Sequence, residues 1–125
     1  MGARVGRYYH LAQLRLVRAR LALVGSEDPD ERLRATSTGR LGSVTWMDDA
    51  AVKALRSAGY LSAADLVGVE RSDLTRIFGI GKKRAARILD WTDHQRALCQ
   101  AVAAWNRRRR STLEAKQIRL EALLA

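Results

Sequence analysis

The sequence predicts an all-α protein, and three observations carry that reading. Apolar residues recur at three- and four-residue steps over most of the 125 positions, and no alternating apolar pattern of strand type extends to any length. Helix-start residues followed by acids, with glycines closing the same segments, punctuate the middle of the chain. The architecture that follows is a small unit of four short helices, flanked by an amino-terminal helix and a long carboxy-terminal helix.

Residues 1–24 are read as a basic amphipathic helix, because 4–24 lack proline and Gly6 is their only interior glycine. Tyr8, Tyr9, Ala12, Leu16, Ala19 and Leu23 form its expected apolar face. Arg4, Arg7, Arg15 and Arg18 follow a line of their own, so the polar face carries only positive charge. Residues 25–43, GSEDPDERLRATSTGRLGS, hold the only proline and are read as a linker with at most one helical turn near residues 30–34.

Residues 44–93 are expected to be the folded centre. Thr45 with Asp48 marks a helix start, Ala51, Val52, Leu55 and Ala58 line one face, and Gly59 ends the segment. Ser62 with Asp65 repeats the start signal ahead of Leu66 and Val67. Ser72 with Asp73 opens a third short helix whose Leu74, Ile77 and Phe78 should point inward. A fourth runs from Lys82 through Trp91. Residues 94–125 have neither Gly nor Pro and are read as a long basic helix. Leu98, Val102, Trp105, Leu113, Leu120 and Leu124 supply its stripe, as one helix or as two jointed near residues 110–112. The stripes of the two flanking helices are expected to pack on each other, on the central unit, or on another copy.

Charge speaks about partners. Lys and Arg number 23 against 13 Asp and Glu, a formal net charge of +10, and so basic a small protein is drawn to polyanions. Every long apolar run is interrupted by Arg, so no membrane span is expected. The arginine-rich, acid-free first 24 residues also suit an organelle transit peptide, although nothing there resembles a cleavage region. Cys99 stands alone, which excludes a disulfide framework and suggests an intracellular location, cytoplasm or nucleoid.

The densest signal is FGIGKKRAARIL at residues 78–89. Gly79, Ile80, Gly81 and Ala85, with Ile88 and Leu89 downstream, match the glycine–apolar–glycine–xxx–alanine core of the helix-hairpin-helix motif, and the segment resembles that family. The preceding LRSAGYLSAADLVGVERSDL resembles the first half of a tandem arrangement. The whole is similar to the amino-terminal domain of RecA-like recombinases and the carboxy-terminal domain of RNA polymerase alpha subunits. The resemblance covers roughly residues 48–91 and implies binding to the phosphate backbone of duplex DNA.

The chemistry of the motif also follows from the residues. Gly81 is expected to adopt a left-handed backbone angle and Gly79 to permit close approach of main chains. A tight turn entering a helix leaves amides unpaired, and with the helix dipole they form an anion site. Ile80 tucks between the helices, Ala85 lets them cross, and Lys82, Lys83, Arg84 and Arg87 add positive charge. The turn could equally be purely structural, but the cation cluster argues for a phosphate. Ala58, Gly59 and Tyr60 lack the second glycine and following cations, so packing is the expected role of that hairpin, with direct phosphate contact the alternative. Arg107, Arg108, Arg109 and Arg110 spray around a helix and are either further phosphate contacts or a solvated, partner-facing joint. Base-edge readout has no evident residues, so little sequence preference is expected.

Nothing points to catalysis, a metal or a cofactor. His10 and His94 are far apart, Cys99 has no evident base, and no GxxxxGK[ST] phosphate loop occurs. Two functions stay open: a non-enzymatic, largely sequence-independent binder of duplex DNA, or an assembly subunit of a nucleoprotein, RNA included. In the second, residues 4–24 and 94–125 would join a protein partner or a homo-oligomer.

Overall fold

The computed structural model describes residues 2–125, with side chains from residue 6 onward, so the Arg4 side chain lies outside the described residues. The described residues are mostly helical, in the order α1 (Gly2–Ala22), α2 (Pro29–Ala35), a 3-10 turn (Thr38–Ser43), α3 (Asp49–Ser57), α4 (Ala63–Leu66), α5 (Arg71–Thr75) and α6 (Lys82–Leu124). Among the described residues the only strand-like pairing is an isolated bridge between Ser37 and Ser62. Two compact units result: Asp28–Ala101, and residues through Glu27 together with Val102–Ala125.

α6 is one helix of 43 residues. The break expected after Trp91 and the joint considered near residues 110–112 are both absent, because nothing in the segment lacks an amide or disfavours the helical ladder.

The expected linker at 25–43 is instead part of the core. Asp28 caps α2 by accepting the Asp30 amide at 2.9 Å, and Pro29 opens the helix where its missing N–H costs nothing. Ser37 caps the 3-10 turn by accepting the Gly39 amide at 3.0 Å. The small polar residues that suggested mobility are these caps, and Leu33, Thr38 and Leu41 between them are buried. Burying one such leucine contributes about 1.5–3 kcal/mol, enough to hold a short segment down.

The central helices keep their expected order, with shifted starts. α3 is capped by Asp48, which accepts the Ala51 amide at 2.7 Å, rather than by Thr45. α4 has the expected capping box of Ser62 and Asp65, whereas α5 is boxed by Glu70 and Asp73 rather than opened by Ser72. Leu41, Leu55, Leu66, Leu74, Ile80 and Ile88 form the heart of this unit's core. Phe78, expected inside, is 97% exposed. Ile80, two residues on, takes the inward position that the turn has to offer.

In the other unit α1 packs against the carboxy-terminal part of α6 through Leu14, Val17, Leu113 and Leu120. Arg7 donates to the Leu124 carbonyl at 3.4 Å, and Asn106 donates to the Ser26 carbonyl at 2.8 Å, so the two helices run antiparallel. The buried seam of α1 is therefore Leu14, Val17 and Leu21, continued by Val24, and not the predicted one. Tyr8, Tyr9, Ala12, Leu16, Ala19 and Leu23 all face outward, Leu23 with 84% of its surface exposed. Both seams have helical spacing, and the buried one is the seam that meets Leu113, Leu120 and Leu124 of α6. On α6, Leu113 and Leu120 are buried as expected, but Leu98 and Trp105 are about half exposed.

Candidate nucleic-acid interface

The unit Asp28–Ala101 holds two hairpins built on one plan, α3 to α4 and α5 to α6, and their amides meet different fates. In the second, the chain leaves α5 through single-turn bonds, with the Ile77 amide donating to Leu74 at 3.0 Å and the Ile80 amide to Ile77 at 3.1 Å. Gly79 sits at φ +89°, a left-handed angle that costs a side-chain-bearing residue about 1–2 kcal/mol. Ile80 then turns inward, and Ala85 and Ile88 on α6 are fully buried beside it.

The roles expected of the two glycines are exchanged. Gly79, not Gly81, is left-handed. Gly81 has an ordinary backbone angle, and a Cβ placed there would meet nothing within 4 Å. The fold itself thus makes no demand for glycine at 81.

Gly81 is the last residue before α6, and its carbonyl takes the first bond of that helix from the Ala85 amide at 2.9 Å. The amides of residues 82–84 precede this bond and so stand at the positive end of the helix dipole. Gly81, Lys82 and Lys83 are exposed, and among the described residues neither lysine makes an ion pair. Arg87 is exposed one turn further along.

Arg84, expected as mobile charge around a phosphate, is a brace instead. It donates from Nη1 to the Gly79 carbonyl at 2.9 Å, from Nε to the Trp46 carbonyl at 3.1 Å, and from Nη2 to Asp48 Oδ2 at 3.2 Å. A planar fork of donors suits three acceptors in fixed positions. The Asp48 carboxyl is held below its ordinary value, chiefly by the Ala51 amide and further by Arg84, against some loss of hydration. The sequence gives no sign of this link, since Asp48 reads there only as a helix-start acid.

The first hairpin shares the left-handed glycine, Gly59 at φ +100°, but its polar groups are occupied. At the start of α4 the Leu61 and Ser62 amides donate to Asp65 Oδ2 at 2.9 and 3.0 Å, and the Ala63 amide donates to the Thr36 carbonyl at 2.8 Å. The fully buried Thr38 donates its hydroxyl to the Tyr60 carbonyl at 2.7 Å, and its amide to the Leu61 carbonyl at 3.0 Å. Arg56 Nη1 donates to Ser37 Oγ at 2.9 Å, to Thr38 Oγ1 and to the Leu61 carbonyl, both at 3.1 Å. Residues 36–38 close this hairpin, and no clue in the sequence ties that stretch to it.

Arg107, Arg108, Arg109 and Arg110 fall in the other compact unit. Arg110 is committed to Glu27 at 2.8 Å, and the Arg109 guanidinium lies 5.5 Å from the ring centre of Trp105. Arg107 and Arg108 are exposed. Arg18 pairs with Glu121 at 3.4 Å, so the arginine line of α1 is partly spent as well.

Residues 39–90 match the family model of the SAM-like helix-hairpin-helix tandem. The central unit carries a helix-hairpin-helix domain. The match takes in both hairpins and is to the tandem as a whole, without singling out its recombinase or polymerase forms. No curated protein and no solved structure matches the chain. No helix of the described residues is long and apolar enough to cross a membrane.

Proposed function

We propose that this chain is a non-enzymatic binder of nucleic acid, duplex DNA foremost, that holds backbone phosphates at the turn from Gly79 to Lys83. The observation that carries this reading is the contrast between the hairpins. Where α4 begins, the chain's own carboxylate and carbonyl take up the amides; where α6 begins, the amides of residues 82–84 stay outside the helical ladder beneath two unpaired lysines. A glycine that the fold does not need lies beside them, which lets a phosphate approach the main chain. Phe78 projects from the same turn and offers an apolar face to a sugar ring. Such contacts carry no base information, so binding is largely independent of sequence. An intracellular location, where nucleic acid is met, accords with the free, buried Cys99.

Anisotropy titrations with random-sequence duplex DNA, single strands and RNA across a salt series test the reading. The triple variant Gly81→Val, Lys82→Glu, Lys83→Glu should bind duplex at least about tenfold more weakly while its melting curve stays cooperative. Parental affinity in that variant would remove the turn as the site.

The outward seam of α1 favours a second reading, assembly with a protein partner or another copy. Tyr9, Ala12, Leu16 and Ala19 alternate large and small residues at three- and four-residue steps, a pattern suited to close helix packing. In this reading the long helices of an adaptor subunit dock while the hairpin faces nucleic acid. Light scattering tests the self-associating form: a monomer over a wide concentration range, with unchanged melting in Leu16→Glu, counts against it.

A further inference from the structure

A second feature of the central unit lies on the α6 face that follows the hairpin. Val44, Trp46, Arg87, Asp90, Trp91 and His94 line a shallow recess of about 540 Å³. Trp46 and Trp91 are half-buried and anchored on the core, so its aromatic walls are held in place. Arg87, Asp90 and His94 stand three and four residues apart on one face of α6, and Lys83 precedes Arg87 by one turn on that face. Arg84 couples the two places directly, because one guanidinium holds both the Gly79 carbonyl of the turn and the Trp46 carbonyl of the recess.

The chemistry differs from that of the turn. Two indoles offer stacking surface, while the recess rim mixes the donors of Arg87, the acceptors of Asp90 and the imidazole of His94. A carboxylate here repels phosphate, so the recess is not an extension of the anion site. A planar heteroaromatic ring with donors and acceptors on its edge suits it. Bases inside a duplex are stacked and out of reach, and extruding one costs a few kcal/mol.

We infer that this recess takes an unpaired nucleobase of the strand whose phosphate is held at the turn, so that the preferred ligand is a duplex carrying a single-stranded extension. The inference rests on the proposed phosphate site and adds the class of nucleic acid that the site selects. Base–aromatic stacking of this kind tolerates any sequence, in keeping with the absence of base-edge readout in the turn.

Three probes decide it: a blunt random duplex, the same duplex with a six-nucleotide overhang, and one whose overhang is abasic. The parent should bind the base-bearing overhang at least about fivefold more tightly than either other probe, with quenching of tryptophan fluorescence. Asp90→Lys and His94→Ala, which change the polar rim and leave both indoles in place, should each lower the preference for the base-bearing overhang. Both substitutions are at exposed positions, and a melting curve checks that they fold. Equal affinity of the parent for base-bearing and abasic overhangs, or for blunt and extended duplexes, overturns the inference. Blunt-duplex binding that is lost in Lys82→Glu, Lys83→Glu would in that case leave the phosphate site standing. A parent that binds none of the three probes overturns both.

Discussion

Substituting Gly79 and Gly81 each by alanine should separate folding from binding. At Gly79 the new methyl group meets nothing, so the cost is conformational: φ +89° in a residue with a Cβ is unfavourable by about 1–2 kcal/mol. The stiffer unfolded chain returns about 0.4–1 kcal/mol of that, leaving a net loss near 1 kcal/mol. For a chain of 125 residues this lowers Tm by roughly 3–5 °C. At Gly81 the angle is ordinary and the surroundings are equally empty, so only the modest preference of a helix cap for glycine over alanine is lost, about 0.5–1 kcal/mol. The same gain from the unfolded state offsets it, and Tm should stay within about 2 °C of the parent. Binding should rank the other way. Gly81→Ala puts a methyl group where a phosphate oxygen would approach the amides, and should weaken duplex binding about tenfold, a loss of about 1.4 kcal/mol. Calorimetric melting and anisotropy on the same preparations give both rankings. A Gly81→Ala protein that melts as low as Gly79→Ala, or that binds like the parent, would refute the assignment of the two glycines.

Four further outcomes follow from named interactions. Leu41→Ala, in the stretch that reads as linker, should cost about 2–5 kcal/mol by denaturant titration, since the side chain is fully buried. Arg84→Gln should cost about 1–2 kcal/mol, a figure lowered from that of a buried brace because about a third of the side chain is exposed. Asp48 is held below the ordinary value of 3.8, so its stabilising effect is complete above that pH and disappears as pH falls through the lowered value. Asp48→Asn keeps a cap acceptor and should flatten the acid limb of the stability profile, which acid titration followed by circular dichroism would record. Lys82→Glu with Lys83→Glu should make the dependence of log K on log salt shallower by about 2, at roughly 0.9 for each phosphate no longer neutralised.

A tandem with one closed hairpin constrains how a duplex could be held. Two open turns can each take a strand, whereas here the first turn is plugged by residues 36–38 and capped by Asp65. The second strand must be gripped by other groups, or the ligand must offer something besides two continuous rails. The tryptophan-lined recess is suited to the latter.

Much was legible in the residues taken alone. Helical spacing marked α3, α4, α5 and the beginning of α6, the box of Ser62 and Asp65 marked the start of α4, and the glycines with Ile80 and Ala85 marked the second hairpin, although with the two glycine roles exchanged. These are local properties: a cap, a turn and an apolar repeat are decided by neighbours within a few positions. The tertiary structure decided the rest. α1 carries two seams of equal spacing, and only the antiparallel course of α6 selects Leu14 and Val17 over Tyr9 and Leu16. Whether Thr38 is a mobile polar residue or a buried plug depends on the carbonyls of Tyr60 and Leu61, which lie more than twenty positions along the chain. Arg84 reads as free charge until the Trp46 carbonyl and Asp48 are seen beside it. In each case the energy comes from partners distant in sequence, and a pattern of spacings holds no record of which distant groups will meet.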